Sequence, residues 1–158
     1  MGDRTYYQLA LPTTLRPRAL RAAAAAFTGD PWTKQQAKQE LGEHLHLNPA
    51  AVCITIEERL VGECRDAAEA VLHALHDRGV DVPFAVTEDP RYEWLGTLCR
   101  YHPQYGMHQV DCDATGDALL TAHALRTITA TTTGPEEALA AIHAHLGTAW
   151  DTIPTGCL

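Results

Sequence analysis

Two spacings alternate along the chain. Tyr6 to Leu11, Val52 to Ile56 and Val80 to Val86 carry apolar side chains at alternate positions, the period of a strand with one buried face. Val52, Ile54 and Ile56 share one face of the second stretch, and Val82, Phe84 and Val86 one face of the third. Between them the period lengthens. Cys64, Ala68, Val71, Leu72 and Leu75 fall at i, i+4, i+7, i+8 and i+11, a helical stripe turned toward a core, and Gly79 closes that helix. An earlier helix, capped by Thr13 or Thr14 with Pro17 in its first turn, runs through a block of alanines to Phe27 and breaks at Thr28-Gly29-Asp30-Pro31. A polar helix follows, with Thr33 as its cap, and extends to about His46.

Tyr92 to Tyr101 and Met107 to Cys112 read as a hairpin around Pro103-Gln104-Tyr105-Gly106. Thr121 caps a short helix containing Leu125 and Ile128, and residues 129–134 form a threonine-rich linker. Pro135 then opens a last helix with Leu139, Ile142 and Leu146 inward and Gly147 at its end. The order β-α-α-β-α-β-β-β-α-α predicts an α+β fold. It is a single domain over residues 1–158, with a mixed, mostly antiparallel sheet of 4–5 strands packed with 4–5 helices. The linker leaves the helix 135–147 as a movable element.

Composition narrows the function classes. The chain has 158 residues, 46% of them apolar and 20% charged, so it holds enough apolar material for a core and too much for a disordered tail. Twelve basic against twenty acidic residues leave a formal charge of −8, which disfavours direct binding of duplex nucleic acid, since that affinity comes largely from Lys and Arg on phosphates. No stretch reaches the roughly 18–20 apolar residues that span a bilayer. The basic residues are ten arginines and two lysines, and alanine is abundant, a bias expected of a high-GC bacterium or its phages and plasmids. Five cysteines, widely spaced and odd in number, read as reduced thiols of a cytoplasmic protein, with Cys53 and Cys64 as small buried hydrophobes.

Candidate chemistry is sparse. Cys99, His102, His108 and Cys112 are zinc-ligand types spaced C-x2-H-x5-H-x3-C across the hairpin turn. If Tyr101 faces His108, strand parity keeps Cys99, His108 and Cys112 on one side as a three-ligand zinc set and sends His102 to the other; a three- or five-residue loop would change that parity. Cys99 with His108 is also the one candidate nucleophile pair. Asp111 to Asp117 resembles the first half of an EF-hand loop, yet Thr115 and Ala122 stand at its fifth and twelfth positions, so an Asx-type turn is expected. Gly-rich phosphate loops, H-E-x-x-H, G-x-S-x-G and C-x-x-C are absent from the sequence. Arg16, Arg18 and Arg21 form a small basic patch on the first helix.

The segment Asp89 to Leu95 sets Tyr92 and Trp94 among charges, and Tyr101 and Tyr105 follow. Aromatics and Arg are favoured interface anchors, so Arg91, Tyr92, Trp94, Tyr101 and Tyr105 are the expected partner-binding residues. The leading expectation is a non-catalytic, acidic accessory or regulatory protein without a cofactor, acting on a protein partner. One form of it is an inhibitor that imitates nucleic acid, which requires its carboxylates on one face. The alternatives are a metal-binding module or small metalloenzyme built on Cys99, His108 and Cys112, and an enzyme with dispersed residues in a pocket.

Overall fold

The computed structural model describes residues 4–33, 35, 36, 38, 39, 51–91 and 94–154, with the backbone alone at 56–58. Five strands form one sheet: β1 (Arg4–Leu11), β2 (Val52–Leu60), β3 (Phe84–Glu88), β4 (Gly96–His102) and β5 (Gly106–Cys112). Their order is β2-β1-β3-β4-β5, and every pair is antiparallel. The helices are α1 (Pro17–Thr28), α2 (Cys64–His76), α3 (Ala122–Thr131) and α4 (Pro135–Leu146), followed by a 3₁₀ turn at Thr148–Trp150. The expected α+β class holds. Since β2 and β3 both run antiparallel to β1, they are parallel to each other, and α2 joins them by a crossover that skips the strand between.

Alternation along the strands sorts the side chains onto two faces. Tyr7, Leu9, Leu11, Val52, Ile54, Phe84, Val86, Cys99 and Tyr101 line the face that α1 and α2 cover. The α2 stripe lands there as its spacing predicts, with Cys64, Ala68, Val71 and Leu75 buried. Each large apolar side chain fully buried here contributes about 1.5–3 kcal/mol. In α1 the contact residues are Ala19, Ala22, Ala23 and Ala24 beside Leu20 and Phe27, small groups that let the backbone approach α2 closely. The opposite face is built from smaller residues, Ala10, Cys53, Ala85, Leu98, Val110 and Cys112, and is covered in part by Ala118, Trp150 and Ile153.

Several local expectations change. The cap of α1 is Arg16, with Pro17 at the first helical position, and no threonine side chain caps it. Thr33 does cap the residues after it: its Oγ1 accepts from the Gln36 amide at 3.1 Å, and Gln36 Oε1 accepts from the Thr33 amide at 2.8 Å, a reciprocal capping box. Gln35, Gln36, Lys38 and Gln39 are helical, and the remainder of that expected helix, residues 40–46, lies outside the described residues. The third strand begins at Phe84 rather than Val80. Helix α3 extends through Thr131, its late threonine hydroxyls bonding carbonyls a turn back (Thr131 Oγ1 to Thr127, 2.9 Å), so the expected linker 129–134 shrinks to three residues. Leu139 is not inward but 55% exposed, and α4 buries none of its residues; α4 packs along α3, and its C-terminal end meets the sheet through Arg100 and His108. Cys53 is disulfide-bonded, while Cys64, Cys99 and Cys112 are free, which corrects the expectation of five reduced thiols.

Candidate functional site

The β4–β5 hairpin decides most of the candidates. Its loop is Pro103, Gln104 and Tyr105, closed by the Tyr105 amide on the His102 carbonyl at 3.1 Å, with Gly106 in the left-handed region at φ 78°. This three-residue turn needs a glycine where it re-enters the strand, because a side chain is strained there. It also moves the register by one. Arg100, not Tyr101, faces His108, while Cys99 faces Gln109 and Cys112 faces Gly96. A one-residue shift exchanges faces, so Cys99 points to the α1/α2 side and His108 and Cys112 to the other. The expected zinc set Cys99, His108 and Cys112 is therefore split by the sheet, and Cys99 does not meet His108 as a nucleophile pair. No group of three His, Cys, Asp or Glu among the described residues is placed to hold a metal ion.

The expected aromatic interface divides as well. Tyr101 is a core residue, edge-on to His76 and tilted on Phe84, and its Oη donates to Asp81 Oδ1 at 2.7 Å. Burial, then that bonded carboxylate, pushes its phenol up to about 12. Tyr105 stacks on His102 with centroids 4.7 Å apart and meets Trp150 edge-on at 5.6 Å, at the hairpin tip. Trp94 lies at the other end of β4, so the two aromatics do not form one patch. Tyr92 lies outside the described residues.

Trp94 itself is well presented. Arg91 and Trp94 form an isolated bridge with both backbone bonds made, at 3.1 and 2.9 Å, so the chain turns back tightly between β3 and β4. Trp94 is 54% exposed and the adjacent Leu95 46%. Gly96, next in the chain, permits this approach: a Cβ there would lie 2.6 Å from the Glu88 carbonyl oxygen and 2.9 Å from Cys112 Sγ. Carboxylates gather beside the turn. The buried Cys112 thiol is pushed up to about 12, first by burial and then by Asp113, Asp89, Asp111 and Glu88. Asp113 is itself organised as the expected Asx turn, its Oδ1 accepting from the Thr115 amide at 2.8 Å and the Asp117 amide at 3.1 Å. Those bonds, led by the Thr115 hydroxyl, hold its carboxyl below the usual range.

On the same face as Cys112, Arg100 clamps the C-terminal segment. It is 2% exposed, and its Nη2 donates to the carbonyls of Leu146 (2.6 Å) and Gly147 (3.0 Å) while Nη1 donates to Asp151 Oδ1 (2.9 Å). A cation at the C-terminal end of α4 meets the negative end of that helix. His108 Nε2 lies 3.0 Å from the His145 carbonyl, and the ring stacks on Trp150, whose Nε1 donates to the Gly106 carbonyl at 2.9 Å. Burial, then the Arg100 charge, lowers the His108 pKa.

A polar cluster unforeseen from the sequence sits under the start of α2. Glu88, 1% exposed, accepts from Tyr7 Oη at 2.7 Å and from the Gly62 amide at 3.0 Å, and Tyr7 Oη accepts from the Glu63 amide at 3.0 Å. The Arg59 guanidinium lies 5.6 Å over the Tyr7 ring. Beside it, Cys64 donates toward the carbonyls of Val86 and Thr97, both at 3.4 Å. Its contact with Cys99, then burial, raises its pKa, which keeps the thiol protonated and without nucleophilic character. These groups tie β1, β2 and β3 to α2. The one sequence signal was Glu88 itself, a carboxylate in step with Phe84 and Val86 on the buried face of a strand.

An α+β protein with an exposed aromatic beside a turn, three buried free thiols and, among the described residues, no assembled metal set is the class that these features define. The chain matches, over residues 28–153, the family described as "Protein of unknown function (DUF3145)", and it belongs to that family. No curated protein matches it, and no solved structure does. No helix among the described residues is long and apolar enough to cross a membrane.

Proposed function

We propose that the protein is a non-catalytic accessory or regulatory protein that docks on a protein partner through the turn between β3 and β4. The observation that carries this reading is Trp94, 54% exposed beside the exposed Leu95, on a turn closed by two backbone hydrogen bonds. An indole held this way binds with little ordering entropy to lose, which is what makes a preformed aromatic an anchor. The flanking Asp89, Asp111 and Asp113 select the partner: an apolar slot for the indole with Lys or Arg around its rim. The form in which the protein imitates nucleic acid gains no support. Carboxylates of the described residues stand in separate groups, Asp66 and Glu69, Asp77 and Asp81, and Glu136 and Glu137, as well as beside the turn.

The test is a photo-crosslinking residue at position 94 in the native host, with position 139 on α4 as an equally exposed control. The reading expects one dominant adduct at 94 that is absent at 139, mapped to a basic-rimmed pocket of the partner. With the purified partner, Trp94→Ala should weaken binding by 30-fold or more, about the 2 kcal/mol of a central aromatic anchor. Equal labelling at the two positions, or a Trp94→Ala affinity matching the parent, overturns it.

A further inference from the structure

At the far end of the sheet from Trp94 the charge reverses. Arg16 and Arg18 at the start of α1 and Arg78 just after α2 line a cleft of about 630 Å³, together with Thr14, Asp77 and Val82. A recess of about 270 Å³ adjoins it, sharing Arg18 and Arg78 and adding Arg21, Pro31 and Trp32. Four of the ten arginines thus meet at one place in a chain of net charge −8, against one lining carboxylate among the described residues, Asp77.

This arrangement runs against stability. The N-terminal end of a helix carries partial positive charge and favours carboxylates, yet the first turn of α1 has none and no side chain caps it. The Arg16 and Arg18 side chains are exposed and line the cleft, and no hydrogen bond or ion pair of either guanidinium joins it to another described residue. Arg21 is different: its Nε donates to the Trp32 carbonyl at 2.9 Å and holds that segment against α1. One lobe is therefore rich in guanidinium forks beside a helix start, which suits a phosphate group geometrically and electrostatically. The other has an indole, a proline ring and the side chains of Ala22 and Ala25, which suit a flat ring. The larger lobe alone falls within the usual size of small-ligand sites, roughly 300–1,000 Å³.

We propose that this cleft binds a nucleotide, its phosphates among Arg16, Arg18 and Arg78 and its base against Trp32. The site is independent of the Trp94 turn, so neither reading stands or falls with the other. Isothermal titration of the full chain with ADP, pyrophosphate and adenosine tests it. ADP should bind at least about tenfold tighter than pyrophosphate, and adenosine should give no measurable heat. Arg16→Ala with Arg78→Ala should weaken ADP by about 30-fold or more, while Arg65→Ala, which removes an equal charge from α2, should change nothing. Trp32→Ala should bring ADP down to the pyrophosphate level and leave pyrophosphate as it was. The arginines are on the surface, and unchanged melting of each variant keeps the comparison valid. Absence of ADP and pyrophosphate binding at about 1 mM, indifference of ADP to the double substitution, or a poly-glutamate peptide binding where ADP does not, overturns the proposal.

Discussion

Gly147 separates two effects that usually come together, and its substitution tests the Arg100 clamp. It follows α4 with φ 69°, in the left-handed region, and an added Cβ would lie 2.6 Å from Arg100 Nη2 and closer still to the His108 ring. Gly29, after α1, has φ 78° and open space around the same position. Alanine at either site loses about 1 kcal/mol to backbone strain. At Gly147 the Cβ is accommodated only if Arg100 leaves the Leu146 and Gly147 carbonyls, and hydrogen bonds to a charged group are worth about 1.5–3 kcal/mol. The expected losses are therefore about 1 kcal/mol for Gly29→Ala and about 3–4 kcal/mol for Gly147→Ala. At about 2–4 °C per kcal/mol for a chain of this size, calorimetry should show Tm lowered by about 2–4 °C in the first and by about 6–16 °C in the second. Urea midpoints should follow the same order. Equal losses in the two variants would show that the clamp contributes nothing, and the account of the C-terminal segment would have to be withdrawn.

Other consequences are open to direct measurement. The folded pKa of His108 lies below its ordinary value of about 6.5, so on acidification the unfolded chain takes up that proton first; this part of the stability is complete above about pH 6.5 and is lost as pH falls below it. Urea midpoints at pH about 7.5 and 5.5 should drop more for the parent than for His108→Gln. Tyr7 and Tyr101 both have raised pKa values, so the ultraviolet phenolate signal of the folded protein at pH about 11 should be nearly unchanged by Tyr101→Phe. Cys64, Cys99 and Cys112 are buried, with the Cys64 and Cys112 thiols pushed up, so mass spectrometry should find all three unlabelled by iodoacetamide until urea is added. Tyr7→Phe strips Glu88 of a bond inside the core and should destabilise by about 1–3 kcal/mol in urea titration.

Local chemistry was legible in the sequence and relations between distant segments were not. The α2 stripe, Pro135 at the head of α4, Gly147 at its end and the Thr33 and Thr121 caps all rest on neighbours within four residues, and each takes the predicted form. The hairpin candidates failed on one residue of loop length, because strand side chains alternate and a single step sends Cys99 away from His108 and Cys112. The inward placement of Leu139 fails for a related reason: helical spacing defines an apolar face but not what covers it, and α4 lies along α3 with its C-terminal end held by the sheet. Trp94 stands exposed beside a turn between strands, whereas Tyr101, which resembles it in sequence as an aromatic of the same stretch, goes to the core. The arginine cleft joins Arg16 and Arg18 to Arg78 across two helices, a pairing that no local pattern announces.

The position of β1 has a consequence for where the chain can be cut. It bonds β2 on one side and β3 on the other, and it is made from the first described residues, while the family match begins only at residue 28. A fragment trimmed to the matched span would keep β2 and β3 but remove the strand that joins them, along with α1, whose alanines and Phe27 cover the same face. The sheet would then present two unpaired inner edges, the arrangement that invites strand addition from other molecules. A usable expression boundary therefore lies ahead of Arg4, well outside the stretch by which the family is recognised.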